Sequence, residues 1–210
     1  MRTQIESNFE INIGRVENLI KIYRDNFQGT GGGRRGAQKT DILRAATVFL
    51  HASLEDFLRT LMIWKYPECS EDIFKIIPLK GTGQNKNATK FWLSDIAKYR
   101  GETIDQILKD SVKEYANTYS FNRTSEINAI LDNCKIICTE EISNTYSVLD
   151  KMISRRHNIV HQADKDDRPG RGNHNIKSIG IRTVEKWLNY VKKFETEVID
   201  CIDNATTTCN

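Results

Sequence analysis

The 210-residue chain is 39% hydrophobic and 28% charged with three prolines, ordinary proportions that exclude wholesale disorder. That length fits one domain with a sizeable core. Thirty-one Lys and Arg against twenty-eight Asp and Glu leave a net charge of +3, too little to indicate nucleic acid on bulk charge alone. No apolar run approaches the ~18 residues of a membrane span, so no membrane is expected as a partner. The polar opening MRTQIESNFE predicts no secretory leader and hence a cytoplasmic protein. Five cysteines form no CxxC pair. Cys134 and Cys138 stand four apart, on one face if helical, and read as core thiols rather than zinc ligands. The N-x-T triplets at Asn87, Asn122 and Asn204 read as chance.

In chain order, Ile5, Phe9, Ile13, Val16, Ile20, Tyr23 and Phe27 recur at helical spacing and predict an amphipathic helix over 3–27. The glycine- and arginine-rich connector 28–39 follows. A second helix is predicted from Thr40–Asp41, as capping residues, to Tyr66, where Pro67 stops it. Its core stripe is Leu43, Ala46, Leu50, Leu54, Phe57, Leu61 and Trp64. The middle, 68–139, is less regular and reads as a helical insertion. A short helix over 70–77 ends at Pro78, KGTGQNKN is an exposed basic loop, and further helices fit 88–100, 103–119 and 125–138. A long helix over 142–164 runs into the charged loop DKDDRPGRGNHN. The last helix, 181–203, carries Val184, Leu188, Val191, Phe194, Val198 and Ile202. No strand is predicted. The fold class is all-α, a single domain over 1–210.

Two segments carry candidate chemistry. GGGRRGAQKT looks like a phosphate-binding loop, but that motif needs glycine directly before Lys-Ser/Thr and a strand upstream. Here Gln38 precedes Lys39, and a helix lies upstream, so the segment reads as a flexible basic connector. The second segment is SRRHNIVHQAD. At about 100° per residue from Leu149, the apolar residues fill an arc from roughly 280° through zero to 40°. Lys151, Arg155, Asn158 and Gln162 fall at about 180–240°, a solvated face. Arg156 lands near 340°, inside the apolar arc, and Asp150, Ser154, His157 and His161 form a strip at about 80–140°. Arg156 either buries its stem and pairs with an acid across a helix interface, or presents its charge to a ligand. The two histidines, one turn apart, are surface residues, a chance metal pair or chemically active.

Arg156-His157-Asn158-Ile159-Val160-His161 resembles the R-x4-6-H signature of the HEPN superfamily, small helical bundles that include many RNases. His157 fills the usual polar place after the arginine. RAATVFLHASLEDFLRTL resembles the corresponding HEPN helix two, with Glu55 at a frequent acidic position. RRHNIVHQAD is most similar to the RiboL-PSP-like and related prokaryotic groups. The likeness covers 40–66 and 142–203. One departure is Ala163, where a subgroup paired with nucleotidyltransferases has an adenylylated tyrosine, so that regulation is not expected.

The resemblance implies a HEPN-like bundle with extra middle helices, acting as a metal-independent endoribonuclease that needs no cofactor. Arg156 and His161 would carry catalysis, assisted by His157, with Glu55, Asp150 and Ser154 in support. Histidine titrates near neutrality and suits removal of the ribose 2′-OH proton; arginine stays charged and suits the phosphorane. The products would be a 2′,3′-cyclic phosphate and a 5′-OH. Arg34, Arg35, Lys80, Lys86, Arg168 and Arg171 are candidates for holding the RNA backbone. A homodimer is expected to bury the helix around Arg156 together with the side of helix two near His51 and Glu55. A toxin or antiviral role, with an antitoxin or other regulatory partner, fits the resemblance; a HEPN-like RNA- or protein-binding subunit without turnover is the alternative.

Overall fold

The structure is a computed structural model, and it describes residues 1–27, 37–69, 71–82, 93–166 and 176–207. Its helices are α1 (Arg2–Phe27), α2 (Ala37–Lys65), α3 (Glu71–Phe74), α4 (Leu93–Ala97), α5 (Ile104–Thr118), α6 (Thr124–Asn133), α7 (Glu140–Gln162) and α8 (Ile181–Thr207). Among the described residues the only β pairing is an isolated antiparallel bridge between Lys165 and Ile176. No helix of the described residues is long and apolar enough to cross a membrane.

α2 is the central helix, with buried apolar residues over about half of its circumference. Leu43, Ala46, Leu50, Leu54, Leu58 and Leu61 are each wholly buried, where each leucine contributes roughly 1.5–3 kcal/mol. α1, α5, α7 and α8 all pack on it. α1 runs antiparallel to it, pairing Phe9 with Phe57, Asn12 with Asp56 and Arg15 with Phe49. α8 runs antiparallel to α1, tied by Arg24–Glu185 and Lys192–Glu17 ion pairs. The predicted stripes of α1 and α8 are buried as expected, except Phe27, which the helix end leaves 36% exposed.

The middle is continuous with the same core rather than a satellite to it. Val112, Ala116, Phe121, Ile127, Ile130 and Leu131 belong to the one buried cluster. The helix predicted over 125–138 stops at Asn133, because Lys135 takes a left-handed φ of 57°. The Ile136 amide then bonds the Leu131 carbonyl, a Schellman closure that also buries Ile136. Cys134 and Cys138 therefore do not share a helix. Cys134 is buried, and Cys138 lies beyond the turn with its sulfur 3.4 Å from the Tyr146 hydroxyl.

α7 begins at a Thr139 cap whose hydroxyl accepts the Ile142 amide, with Glu140 and Glu141 favourable at its positive end. It ends two residues earlier than predicted. Ala163 and Asp164 both sit in the left-handed region, at φ 48° and 57°, and turn the chain back on itself. α2, conversely, starts before its predicted caps. Thr40 and Asp41 lie inside its first turns and accept bonds from the Arg44 guanidinium.

Candidate active site

The last turns of α7 carry two consecutive arginines, and about 100° of helix rotation sends them to different surroundings. Arg155, expected on the solvated face, is the structural one. Its Nη2 donates to the Asp164 carboxylate at 2.7 Å and to the carbonyls of Lys177 and Ser178, both at 3.0 Å. From α2, Arg44 reaches the same Asp164 oxygen through Nε at 2.8 Å, and the Lys177 carbonyl through Nη2 at 2.7 Å. Asp164 is wholly buried, and its backbone carbonyl accepts the Lys177 amide at 2.8 Å. One carboxylate thus fastens the end of α7 to α2 and to the chain entering α8. Pairing with an acid across a helix interface, weighed above for Arg156, is what Arg155 does.

Arg156 forms no hydrogen bond or ion pair among the described residues, and its Nε is buried without a partner. Its charge acts on His51 of α2. Burial is the main cause that lowers the His51 pKa; Glu55 and the Phe121 carbonyl oppose it, and the charges of Arg156 and Arg59 add to it. His51 Nε2 is 3.0 Å from the Phe121 carbonyl. A carbonyl only accepts, so Nε2 carries the hydrogen and Nδ1 of the neutral ring is an acceptor. That Nδ1 sits 3.6 Å from Glu55 without a hydrogen bond. With the ring held neutral, this approach is not a salt bridge. Glu55 is instead paired with Arg59 at 3.3 Å, while Arg59 also bonds the Tyr119 carbonyl at 3.0 Å.

His51 is 0% exposed, so it does not face outward from α2 and cannot form part of a dimer surface as expected. His157 and His161 are exposed, one turn apart, with ring centroids 4.5 Å apart and planes tilted by 45°. Val160 beside them is 49% exposed. Asp150 does not point at the histidines: its two oxygens accept the Thr124 amide at 3.1 Å and hydroxyl at 2.9 Å, capping α6. Ser154 is exposed on a groove facing the start of α8. Lys80 is enclosed by Glu102 at 2.6 Å and Asp110 at 2.8 Å, and its ammonium lies over the Tyr99 ring. These carboxylates raise its pKa, and they take up the charge assigned to RNA. Arg34, Arg35, Lys86, Arg168 and Arg171 lie outside the described residues. Among those described, no group of three or more His, Cys, Asp or Glu side chains is placed to hold a metal ion.

The model of the RiboL-PSP-HEPN family matches residues 10–206. The chain belongs to this HEPN family. The match spans both helices whose residues carried the resemblance, and the middle between them. No curated protein and no solved structure matches the chain.

Within this HEPN protein, the sequence reading missed Arg44 and Asp164, set Arg155 on the solvated face and took His51 for the dimer side of helix two. A signal existed for two of them. At about 100° per residue from Leu50, Arg44, His51 and Glu55 fall near 100–140°, a polar strip at the edge of the α2 apolar arc.

Proposed function

We propose that the chain is an endoribonuclease that cuts RNA by transesterification without a metal ion. The observation that supports this best is the uncommitted guanidinium of Arg156. Arg44, Arg59 and Arg155 are each paired with a carboxylate, whereas Arg156, among the described residues, has none. A partly buried cation without a counter-ion is costly, and a phosphate supplies two oxygens to its fork. Nearby, His161 and His157 place two exposed imidazoles at one edge of the same helix.

In the reaction an imidazole, assigned to His161, takes the proton from the ribose 2′-OH. The 2′-oxygen bonds to phosphorus, the bond to the 5′-oxygen breaks, and that oxygen receives a proton. The products are a 2′,3′-cyclic phosphate and a 5′-OH. Arg156 stabilises the charge on the phosphorane oxygens, and His157 orients the substrate. On one helix Arg156 and His161 are about 140° apart, facing inward and outward. A two-fold partner that brings a second copy of this edge alongside would close the site. A toxin or antiviral effector, held by an antitoxin or regulatory partner, is the biological setting that suits such an activity.

The test incubates purified protein with total RNA in EDTA and labels new 5′-OH ends. Wild type is expected to cleave. His161→Ala should lose about 10²-fold or more, the scale of general acid–base catalysis. Arg156→Ala should lose on the order of 10²–10³-fold, and His157→Ala less. Equal cleavage by wild type and His161→Ala rules out the assignment. Activity that EDTA abolishes and Zn²⁺ or Mg²⁺ restores overturns the metal-free chemistry. Tight RNA binding without cleavage identifies the non-catalytic subunit instead, and sedimentation showing only monomer at micromolar concentration counts against the shared cleft.

A further inference from the structure

Between the outer side of α7 and the chain entering α8 lies an open groove of about 610 Å³, within the roughly 300–1,000 Å³ of typical ligand sites. One wall is the α7 stripe Lys151, Ser154 and Asn158; the other includes Ser178 and Thr183, and Trp187 lies at the α8 side. These hydroxyl, amide and ammonium groups donate hydrogen bonds readily. The groove also receives the first turn of α8, a 27-residue helix whose leading amides carry the positive end of its dipole.

The Asp164 cluster brings no net charge to the groove: Arg44 and Arg155 are matched by Asp164 and Asp41, and Arg155 lines the groove. Lys151 and Lys177 bring two further positive charges to the lining, against the single lining carboxylate Asp150. Asp150 is turned away to Thr124. The balance is therefore cationic, in a depression furnished with donors. His161 follows Ser154 by seven residues on α7, a rotation difference of about 20°. The groove and the histidine edge are on the same side of the helix.

We propose that this groove is a binding track for RNA, holding the phosphodiester backbone of the strand that flanks the cleavage point. The proposal rests on the endoribonuclease reading for its ligand class, and on the groove for its location. Lys151 is the principal phosphate contact, the hydroxyls of Ser154 and Thr183 bond phosphate or sugar oxygens, and the charge of Lys177 draws the strand in. Contacts of this kind fix register and do not read base sequence.

The test measures anisotropy of a fluorescent single-stranded oligoribonucleotide, fully 2′-O-methylated so that its attacking hydroxyls are blocked. Lys151→Glu is expected to weaken binding about tenfold or more at moderate salt. Lys151→Gln should lower the slope of log K against log salt by about one, the loss of one phosphate contact. Lys193→Glu, an equal charge reversal at an exposed position of α8 outside the groove, should stay within about twofold of wild type. Thermal melts identical to wild type establish that each variant is folded. A 4-thiouridine strand should crosslink to peptides spanning 147–158 or 177–187. If Lys151→Glu binds no worse than Lys193→Glu, the track is overturned, and cleavage of unmodified RNA by wild type leaves the nuclease reading standing. If the groove variants lose binding while wild type cleaves nothing, the track stands and the nuclease reading falls. No binding of the strand by wild type at any salt overturns the track, and the cleavage assay then decides the activity separately.

Discussion

Two clusters of arginine and carboxylate lie along α2, and they differ in how they treat the neighbouring arginine of α7. At the end of α7, Asp164 gathers Arg44 and Arg155, and the spare guanidinium hydrogens reach the carbonyls of Lys177 and Ser178. About three turns further along α2, Glu55 holds only Arg59. Buried atoms without partners occur in both clusters: Arg155 Nε and Asp164 Oδ1 in the first, His51 Nδ1 and the Nε atoms of Arg59 and Arg156 in the second. What separates the clusters is that Arg155 has a carboxylate and Arg156 has none among the described residues. The Asp164 cluster fixes a helix end; the Glu55 cluster leaves an arginine uncommitted. In an Arg-Arg-His run, the first arginine supplies the fold and the second is available to a ligand.

The largest expected effect breaks the Asp164 cluster. Asp164→Ala leaves Arg155 without a counter-ion and buried Arg44 with only the exposed Asp41, and it removes the tie between α7, α2 and the start of α8. A loss of about 3–5 kcal/mol is expected, the usual result of stripping one member from a buried ion cluster. Urea unfolding followed by circular dichroism checks it. A loss under about 1 kcal/mol would mean that the cluster does not hold the helix end.

The adjacent arginines sharpen the contrast by trading effects. Arg155→Ala should cost about 2–3 kcal/mol, because three hydrogen bonds from one guanidinium disappear, two of them to backbone carbonyls. Arg156→Ala should cost less than about 1 kcal/mol, since no bond to it is lost. Cleavage should follow the reverse order once both proteins are assayed well below their melting temperatures. Equal destabilisation by the two substitutions would show that Arg156 is structural after all, and would remove the main support for the proposed chemistry.

Much of this was legible in the sequence, and the part that was not has one cause. The α8 stripe from Val184 to Ile202 is buried as its spacing predicted, because a 3.6-residue period reports directly on which face is covered. The position of Arg156 inside an apolar arc was legible for the same reason. Arg155 was misread because helical rotation reports the direction of a side chain and not what the rest of the chain brings to it. Its partner Asp164 is held in place by two successive left-handed residues, neither a glycine, and by Arg44 from 120 residues away. Nothing local to RRHNIVHQAD encodes that turn. Lys80 teaches the same lesson: its loop reads as exposed and basic, yet Glu102 and Asp110, distant in sequence, enclose its charge.

The smallest expected effect concerns protons at the Glu55 cluster. His51 is enclosed by α2 itself, by the Phe121 carbonyl and by α7, and the charged groups acting on it are Glu55, Arg59 and Arg156. Burial holds its folded pKa below the ordinary histidine value of 6.5, and the two arginines act in the same direction. The folded state therefore takes up the proton later than the unfolded chain as pH falls. The sign follows: the contribution of His51 to stability is complete above the ordinary histidine range and is lost as pH drops toward the folded pKa. One proton gives a slope of at most about 1.4 kcal/mol per pH unit in that window. His51→Gln keeps a donor for the Phe121 carbonyl and has no proton to gain, so its stability should change less between neutral and mildly acidic pH than that of wild type. Urea midpoints across that range provide the check. Parallel pH profiles for the two proteins would show that His51 is not held neutral, and that the gap between it and Glu55 is bridged by a shared proton instead.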